Sequence, residues 1–249
     1  MSEATFRFYA ELNDFLPPEM RQRPLIYPFT EPQTVKHLIE AVRIPHTDVE
    51  LILINGEPAG FEVMVQPGDR VSVYPAFYQI DISALPPLRP PLPHPPRFIL
   101  DNHLGKLARL MRLLGIDTLY PRAHLDDAEL AQIAYAENRI MLTRDRGLLM
   151  RSIITYGYCL HTTNTEQQLT AVLHRYHLHQ HVHPWTRCLN CNGRLHTIPK
   201  QQIAHRLQPK TSLYFDEFRE CQACGQIYWK GSHFASLQEI VDRVVTEKP

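Results

Sequence analysis

Apolar and polar residues change rhythm along this chain, and the changes divide it. Thr5-Phe-Arg-Phe-Tyr-Ala10 alternates with the two-residue period of a half-buried strand. Thr34 stands as an N-cap before Val35, Leu38, Ile39 and Val42, which share one helical face. Val49-Glu-Leu-Ile-Leu-Ile54 reads as a buried strand, and Asn55-Gly56 as a hairpin turn. Pro67-Gly-Asp-Arg-Val-Ser-Val-Tyr74 predicts a turn leading into a final strand. Strand, helix, strand, turn and strand in so short a stretch predict a small α+β roll over residues 1–80.

From Arg97 onward, strands and helices alternate. Phe98-Ile-Leu100 is a short apolar strand ending at Asp101. Leu104, Leu107, Ala108, Met111 and Leu114 line one helical face, and Gly115 stops that helix. Asp117–Tyr120 and Arg139–Thr143 predict two further strands, with Asp126 and Glu129 forming a capping box on the helix between them. A short helix, a strand near Tyr158-Cys-Leu160 and a helix beginning near Thr165 follow. Repeated strand–helix units predict a parallel sheet covered on both faces.

Between the two patterns, residues 81–96 contain seven prolines in sixteen positions. Proline removes backbone donors and favours extended polyproline II, at about 3.1 Å per residue, so this segment is expected to act as a semi-rigid linker. The expected organisation is therefore a roll at 1–80, a linker at 81–96, an α/β domain at 97–183 and a small module at 184–249.

The small module carries its own chemistry. Cys188-Leu-Asn-Cys191 and Cys221-Gln-Ala-Cys224 are two Cys-x-x-Cys pairs, 29 residues apart. Each pair places two thiolates on one tight turn, and two such turns complete a tetrahedron around structural Zn²⁺. Disulfides belong to oxidising compartments, and the Met1–Phe6 start shows no basic region followed by an apolar run. No stretch approaches the roughly 20 apolar residues of a membrane span. The expected setting is cytoplasmic, without membrane contact, and Cys159 reads as a reduced core residue.

In a parallel sheet, ligands gather beyond the carboxyl ends of the strands. Asp101 and Asp145 each fall just after a short apolar strand, and Asp127 sits in the first turn of the intervening helix. Clustered carboxylates need a cation, and hard oxygen ligands suit Mg²⁺ or Mn²⁺. Helix capping explains Asp126 fully, and for the other three position alone leaves cap and ligand both open. Lys106, Arg109 and Arg112 recur every third residue, and Arg144 and Arg146 bracket Asp145. Of these, Lys106, Arg109, Arg144 and Arg146 are candidates to hold phosphate, while Arg112 reads as part of a solvated helix face.

The zero net charge conceals an acidic first eighty residues and a basic remainder. A mildly basic half is compatible with binding phosphates, although many ordinary domains carry a similar balance. His174–His183 holds five histidines, four of which would share a side only in an extended segment; it is expected to be a hydrophilic connection into the zinc module.

Ile54-Asn-Gly56 and Pro67-Gly-Asp-Arg-Val71 resemble the ubiquitin-like sulfur-carrier type. That resemblance implies the fold. The Gly-Gly terminus of the carriers is missing, since Val73-Tyr-Pro-Ala76 runs on into Phe77, so a docking or regulatory module with a protein partner is expected.

Further on, the matching strings are Phe98-Ile-Leu-Asp101, Leu104-Gly-Lys-Leu-Ala-Arg-Leu-Met-Arg-Leu-Leu-Gly115, Asp127-Ala-Glu-Leu130 and Ile140-Met-Leu-Thr-Arg-Asp-Arg-Gly147. With Arg187-Cys-Leu-Asn-Cys191 and Tyr228-Trp-Lys-Gly-Ser-His233, they resemble the RNase domain at the C-terminus of the Mut-seven family, a PIN-like fold. The resemblance implies a metal-dependent ribonuclease with Asp101, Asp127 and Asp145 as metal-binding carboxylates. PIN-type sites commonly have a fourth acidic residue, and this chain offers Gln167 and Gln168 where one would be sought. The rival expectation is a non-catalytic RNA-binding protein using the zinc ribbon with Arg187, Arg194, Lys200, Trp229 and Lys230.

Overall fold

The computed structural model describes residues 2–77, 80–121, 123–232 and 234–246; His233, the last residue of the Tyr-Trp-Lys-Gly-Ser-His string, lies outside them. The N-terminal region consists of β1 (Ser2–Phe8), β2 (Leu25–Phe29), α1 (Val35–Ala41), β3 (Leu51–Ile54), β4 (Glu57–Pro58) and β5 (Arg70–Tyr74). Its five strands lie in the order β2-β1-β5-β3-β4, with β1 parallel to β5 and the other neighbours antiparallel. Alternation decides the faces: Ala4, Phe6 and Phe8 of β1 are buried, as are Val71 and Val73 of β5 and Val35, Leu38 and Ile39 of α1. Thr34 Oγ1 caps α1 by accepting from the His37 amide.

The two turn motifs that suggested a ubiquitin-like fold are joined to each other. Asn55 Nδ2 donates to Asp69 Oδ1 at 2.7 Å, and the Arg70 amide donates to Asn55 Oδ1 at 2.9 Å. Asn55 and Gly56 both have positive φ, 53° and 95°, as a tight hairpin requires. Strand β2 is absent from the sequence expectation because Pro28 interrupts it. As an edge strand it tolerates a residue that cannot donate.

The C-terminal region begins with β6 (Arg97–Leu100), α2 (Gly105–Leu113), β7 (Asp117–Leu119), α3 (Asp127–Ala136), β8 (Ile140–Thr143), α4 (Arg146–Leu149), β9 (Gly157–Cys159) and α5 (Thr165–Arg175). Strand β6 pairs with β7 in parallel, and β8 with β9 in parallel. Phe98, Ile99 and Leu100 are fully buried, and so are all four residues of β8, as expected of parallel strands covered on both faces. Gly115 ends α2 at φ 81°, where a Cβ would lie 2.1 Å from the His183 carbonyl oxygen.

The last part holds β10 (Leu195–Ile198), α6 (Lys200–Ile203), α7 (Pro209–Tyr214), β11 (Phe218–Cys221), β12 (Ile227–Tyr228) and α8 (Phe234–Thr246). Its antiparallel sheet, β10-β11-β12, closes over a core of Ile198, Ile203, Phe218 and Ile227. The long gap between the cysteine pairs is thus filled by β10, two short helices and most of β11. This is the ribbon architecture expected from the cysteine spacing.

By compactness the chain divides into two interleaved units, 1–93 with 126–161 and 94–125 with 162–249. The proline segment does not stand free as a spacer. Arg89 donates to the carbonyls of Thr47 (2.9 Å), His46 (3.1 Å) and Val49, and the Tyr156 hydroxyl donates to the Pro91 carbonyl at 3.1 Å. One cation satisfying three carbonyls anchors a segment that cannot form its own ladder. No helix among the described residues is long and apolar enough to cross a membrane.

Candidate functional site

Cys188 and Cys191 occupy the turn before β10; Cys221 ends β11, and Cys224 follows in the turn to β12. One sulfur from each lies within 4.8 Å of the other three, so the group can hold a metal ion. Cys188 Sγ is 3.7 Å from Cys224 Sγ, and Cys191 Sγ is 3.4 Å from Cys221 Sγ. A disulfide would need about 2.05 Å. Four thiolates tetrahedral at about 2.3 Å from zinc stand roughly 3.8 Å apart, close to what is seen. Gly193 makes room: a Cβ there would sit 2.8 Å from Cys221 Sγ and 3.3 Å from Cys191 Sγ. The donor set and the space fit zinc.

The sulfurs are not equivalent. Burial works against the Cys188 thiolate, but the Tyr228 hydroxyl, 3.1 Å from Sγ, and the amides of Cys191 and Asn190 outweigh it and hold the thiol down to about 7. Burial pushes the Cys191 thiol up to about 12. Outside the cluster, burial and then Asp48 push Cys159 up to about 12, which suits an inert core thiol.

The turn carrying Cys188 and Cys191 is bolted to β7 and α2. Arg112 is 3% exposed; its Nε donates to the Thr118 carbonyl at 2.9 Å, and its Nη1 to those of Leu189 (3.2 Å) and Asn190 (3.1 Å). Asp117 receives Arg187 on Oδ2 and Asn192 on Oδ1, both at 2.9 Å, and Asn192 Oδ1 accepts from the Thr118 amide at 3.0 Å. Arg112 is therefore not part of a solvated face. A three-residue repeat drifts around a helix of 3.6 residues per turn, so Arg112 points about 120° away from Lys106. That drift was the available signal.

The three candidate carboxylates have distinct local settings. Asp101 directly follows β6 and is 7% exposed. Its neighbour Asn102 orders the approach to α3, donating to the Leu125 carbonyl at 2.8 Å and accepting the Tyr120 hydroxyl on its own carbonyl at 2.7 Å. Asp126 forms the expected capping box with Glu129, which leaves the half-buried Asp127 carboxylate free of that duty. Asp145 is exposed and caps α4, accepting from the Gly147 amide on Oδ1 at 2.6 Å. For Asp145 the cap accounts for one oxygen only.

Lys106, Arg109 and Arg144 are exposed. Arg146 is engaged: its Nη1 donates to the Phe15 carbonyl at 2.9 Å, and its guanidinium lies 4.9 Å from the centre of the Phe15 ring. Gln167 accepts from the Thr162 hydroxyl at 2.7 Å, and buried Gln168 donates to the Thr162 carbonyl at 2.8 Å, so both tie down the start of α5. The histidine run is the end of α5 and a 3-10 turn at Leu178–His181, not an extended segment; none of its histidines joins a metal-competent group among the described residues.

Sequence reasoning missed a cleft of about 1120 Å³ on the ribbon, bordered by Arg109, Trp185, Arg219, Trp229, Lys230 and Phe234. Trp185 stacks on Phe234 at 4.7 Å, and Trp229 is 40% exposed. Lys230 pairs with Glu217 at 2.8 Å at its rim. Two tryptophans 44 positions apart carry no local signal of a shared cleft.

Residues 96–241 match the family model described as the Mut7-C RNAse domain, and residues 1–81 match the one described as Mut7-C ubiquitin. The chain belongs to the Mut7-C family. Over 101 residues it is 33% identical to a human protein described as an exonuclease mut-7 homolog, an alignment covering 39% of this chain and 12% of that relative. The chain thus spans a small fraction of the relative it matches. No solved structure matches it.

The match to the Mut7-C RNAse domain model runs across β6 to α8, so the acidic residues and the ribbon fall within one family unit. The Mut7-C ubiquitin match covers the five-stranded roll. Both agree with the families expected from the motif strings.

Proposed function

We propose that this Mut7-C chain is a metal-dependent ribonuclease, with Asp101, Asp127 and Asp145 holding Mg²⁺ or Mn²⁺ and residues 97–183 carrying the reaction. One observation carries the reading: inside a region matching an RNase family, Asp101 follows directly on buried β6 and Asp145 lies two residues past buried β8, both strands paired in parallel. That is where α/β sheets present ligand-binding groups. Carboxylate oxygens are the donor set that hard divalent cations take. When bound, the ion supplies activation of water and neutralisation of charge at phosphorus. The chain's own contribution is positioning. Lys106, Arg109 and Arg144, all exposed, hold the phosphate backbone as point charges or forks, while Arg146 is occupied with Phe15. The zinc module at 184–249 is structural, and a reducing, cytoplasmic setting suits its four free thiols.

The test compares wild type with Asp101→Asn and Asp145→Asn on single-stranded and structured RNA, with each metal. Asn keeps the shape and removes the charge. Loss of cleavage with retained RNA binding is the expected result. If none of the three proteins cuts RNA with either metal and all bind it equally, the enzyme reading fails.

The aromatic and basic cleft favours a second reading, a non-catalytic RNA-binding protein. Exposed Trp229 and the Trp185–Phe234 stack offer ring faces to unpaired bases, and Arg109 and Arg219 offer charge to the backbone. Trp229→Ala weakening RNA binding, in a chain that shows no metal-dependent cleavage, would support this second reading.

A further inference from the structure

In the first compact unit, contacts from the N-terminal roll converge on the ends of β8 and β9. Phe15, 4% exposed, takes the Arg146 guanidinium on its carbonyl and across its ring face, one residue after Asp145. The same ring meets His161 edge-on at 4.6 Å, just beyond β9. One apolar side chain therefore touches the segments that follow both strands.

A second contact lies alongside. The 3-10 turn at His46–Asp48 is buried, and Asp48 Oδ1 accepts from the Cys159 amide at 3.3 Å. His46 Nε2 lies 2.9 Å from the Ile154 carbonyl oxygen. Strand β9 is the edge of its sheet, and an edge amide is otherwise open to pairing with another chain. Gly157 faces this turn, and a Cβ there would lie 3.4 Å from Thr47 Cβ, an ordinary van der Waals contact. The Arg89 guanidinium then locks the carbonyls of His46, Thr47 and Val49, so the turn that presents Asp48 is itself held.

We propose that the ubiquitin-like domain is a clamp in cis: Asp48 caps the β9 edge, and Phe15 grips Arg146 and thereby positions the turn bearing Asp145. Arg146 and Phe15 are positioning residues, acting through the backbone on which the Asp145 carboxylate stands. The consequence for Asp145 rests on the metal-site reading above, whereas the clamp rests on these contacts alone.

The test uses the full chain with Arg146→Ala, Arg146→Lys and Phe15→Leu, the last keeping apolar volume while removing the ring. Amide hydrogen exchange is read over 144–150 and 157–161, and Mn²⁺ binding by calorimetry, with thermal melting as a check on the fold. Arg146→Ala should speed exchange in both segments on the order of tenfold, as loss of a charged hydrogen bond opens a local unit. Mn²⁺ affinity should fall about tenfold, the usual effect of losing an outer-shell partner. Arg146→Lys should recover part of both, because its ammonium still reaches the Phe15 carbonyl, and Phe15→Leu should follow Arg146→Ala in direction. Unchanged exchange in Arg146→Ala and Phe15→Leu overturns the clamp. Raised exchange with wild-type Mn²⁺ affinity overturns its action on Asp145. If wild type itself binds no Mn²⁺, the metal-site reading fails, and exchange alone decides the clamp.

Discussion

The Tyr228 hydroxyl lies 3.1 Å from Cys188 Sγ, so β12 supplies a hydrogen bond to a thiol on the opposite cysteine turn. Tyr228→Phe removes it and leaves the ring packing intact. The Cys188 thiol should rise from about 7 toward its ordinary range, since burial is then less opposed. Zinc affinity, measured by competition with a chromogenic chelator, should fall about tenfold.

Arg112→Met should destabilise the chain by about 2–4 kcal/mol, because buried carbonyls of Thr118, Leu189 and Asn190 lose a charged donor. Urea unfolding measures the loss. A chelator should also strip zinc faster from this variant than from wild type, because the Cys188–Cys191 turn loses its anchor to α2 and β7.

Thiol titration should separate the five cysteines into two classes. With zinc bound, little reacts near pH 8; after chelation the four ribbon thiols react. Cys159 reacts only on unfolding. Its folded value is raised to about 12, above its ordinary 9.0, so the thiol stays protonated from neutral pH up to that range. Reaction of a fifth thiol before unfolding counts against a buried, inert Cys159.

Asp126 and Asp127 are neighbours with different duties, and substitution should tell them apart. Asp126→Ala should cost about 1 kcal/mol of stability by removing an N-cap, leaving metal-dependent cleavage as in wild type. Asp127→Asn should do the reverse, lowering cleavage with little change in melting. Equal loss of cleavage in both would place the effect in α3 rather than in a carboxylate ligand.

Arg89→Ala should release the proline segment. A broad-specificity protease that leaves wild type intact should then cut within 81–96, since three carbonyls lose their donor and the segment has no ladder of its own. Cleavage at the same rate in wild type would mean the anchor does not hold in solution.

Much of this architecture is local and was readable from the chain. Thr34, Asp126, Asn55-Gly56 and Gly115 act on residues within a few positions of themselves, so caps, turns and stops follow from residue type. The buried runs Phe98–Leu100 and Ile140–Thr143 declare parallel strands because both faces must be apolar. The two Cys-x-x-Cys pairs declare a group able to hold a metal ion because tight turns set thiol spacing. Strand β2 was not readable, since Pro28 argues against a strand until an edge position excuses it. Neither was the fate of the arginines. Arg89, Arg112 and Arg146 look alike as residues, yet each is consumed by carbonyls distant in sequence: at His46, Thr47 and Val49, at Leu189 and Asn190, and at Phe15. A long cation chooses its partner from whatever acceptors folding leaves unpaired nearby. By itself, then, the sequence determined most of the elements, the family and the four cysteines able to hold a metal ion, all matters of short-range pattern. Only the tertiary structure decided which charges remain available to a substrate, because that depends on long-range desolvation and on the carbonyls left without donors.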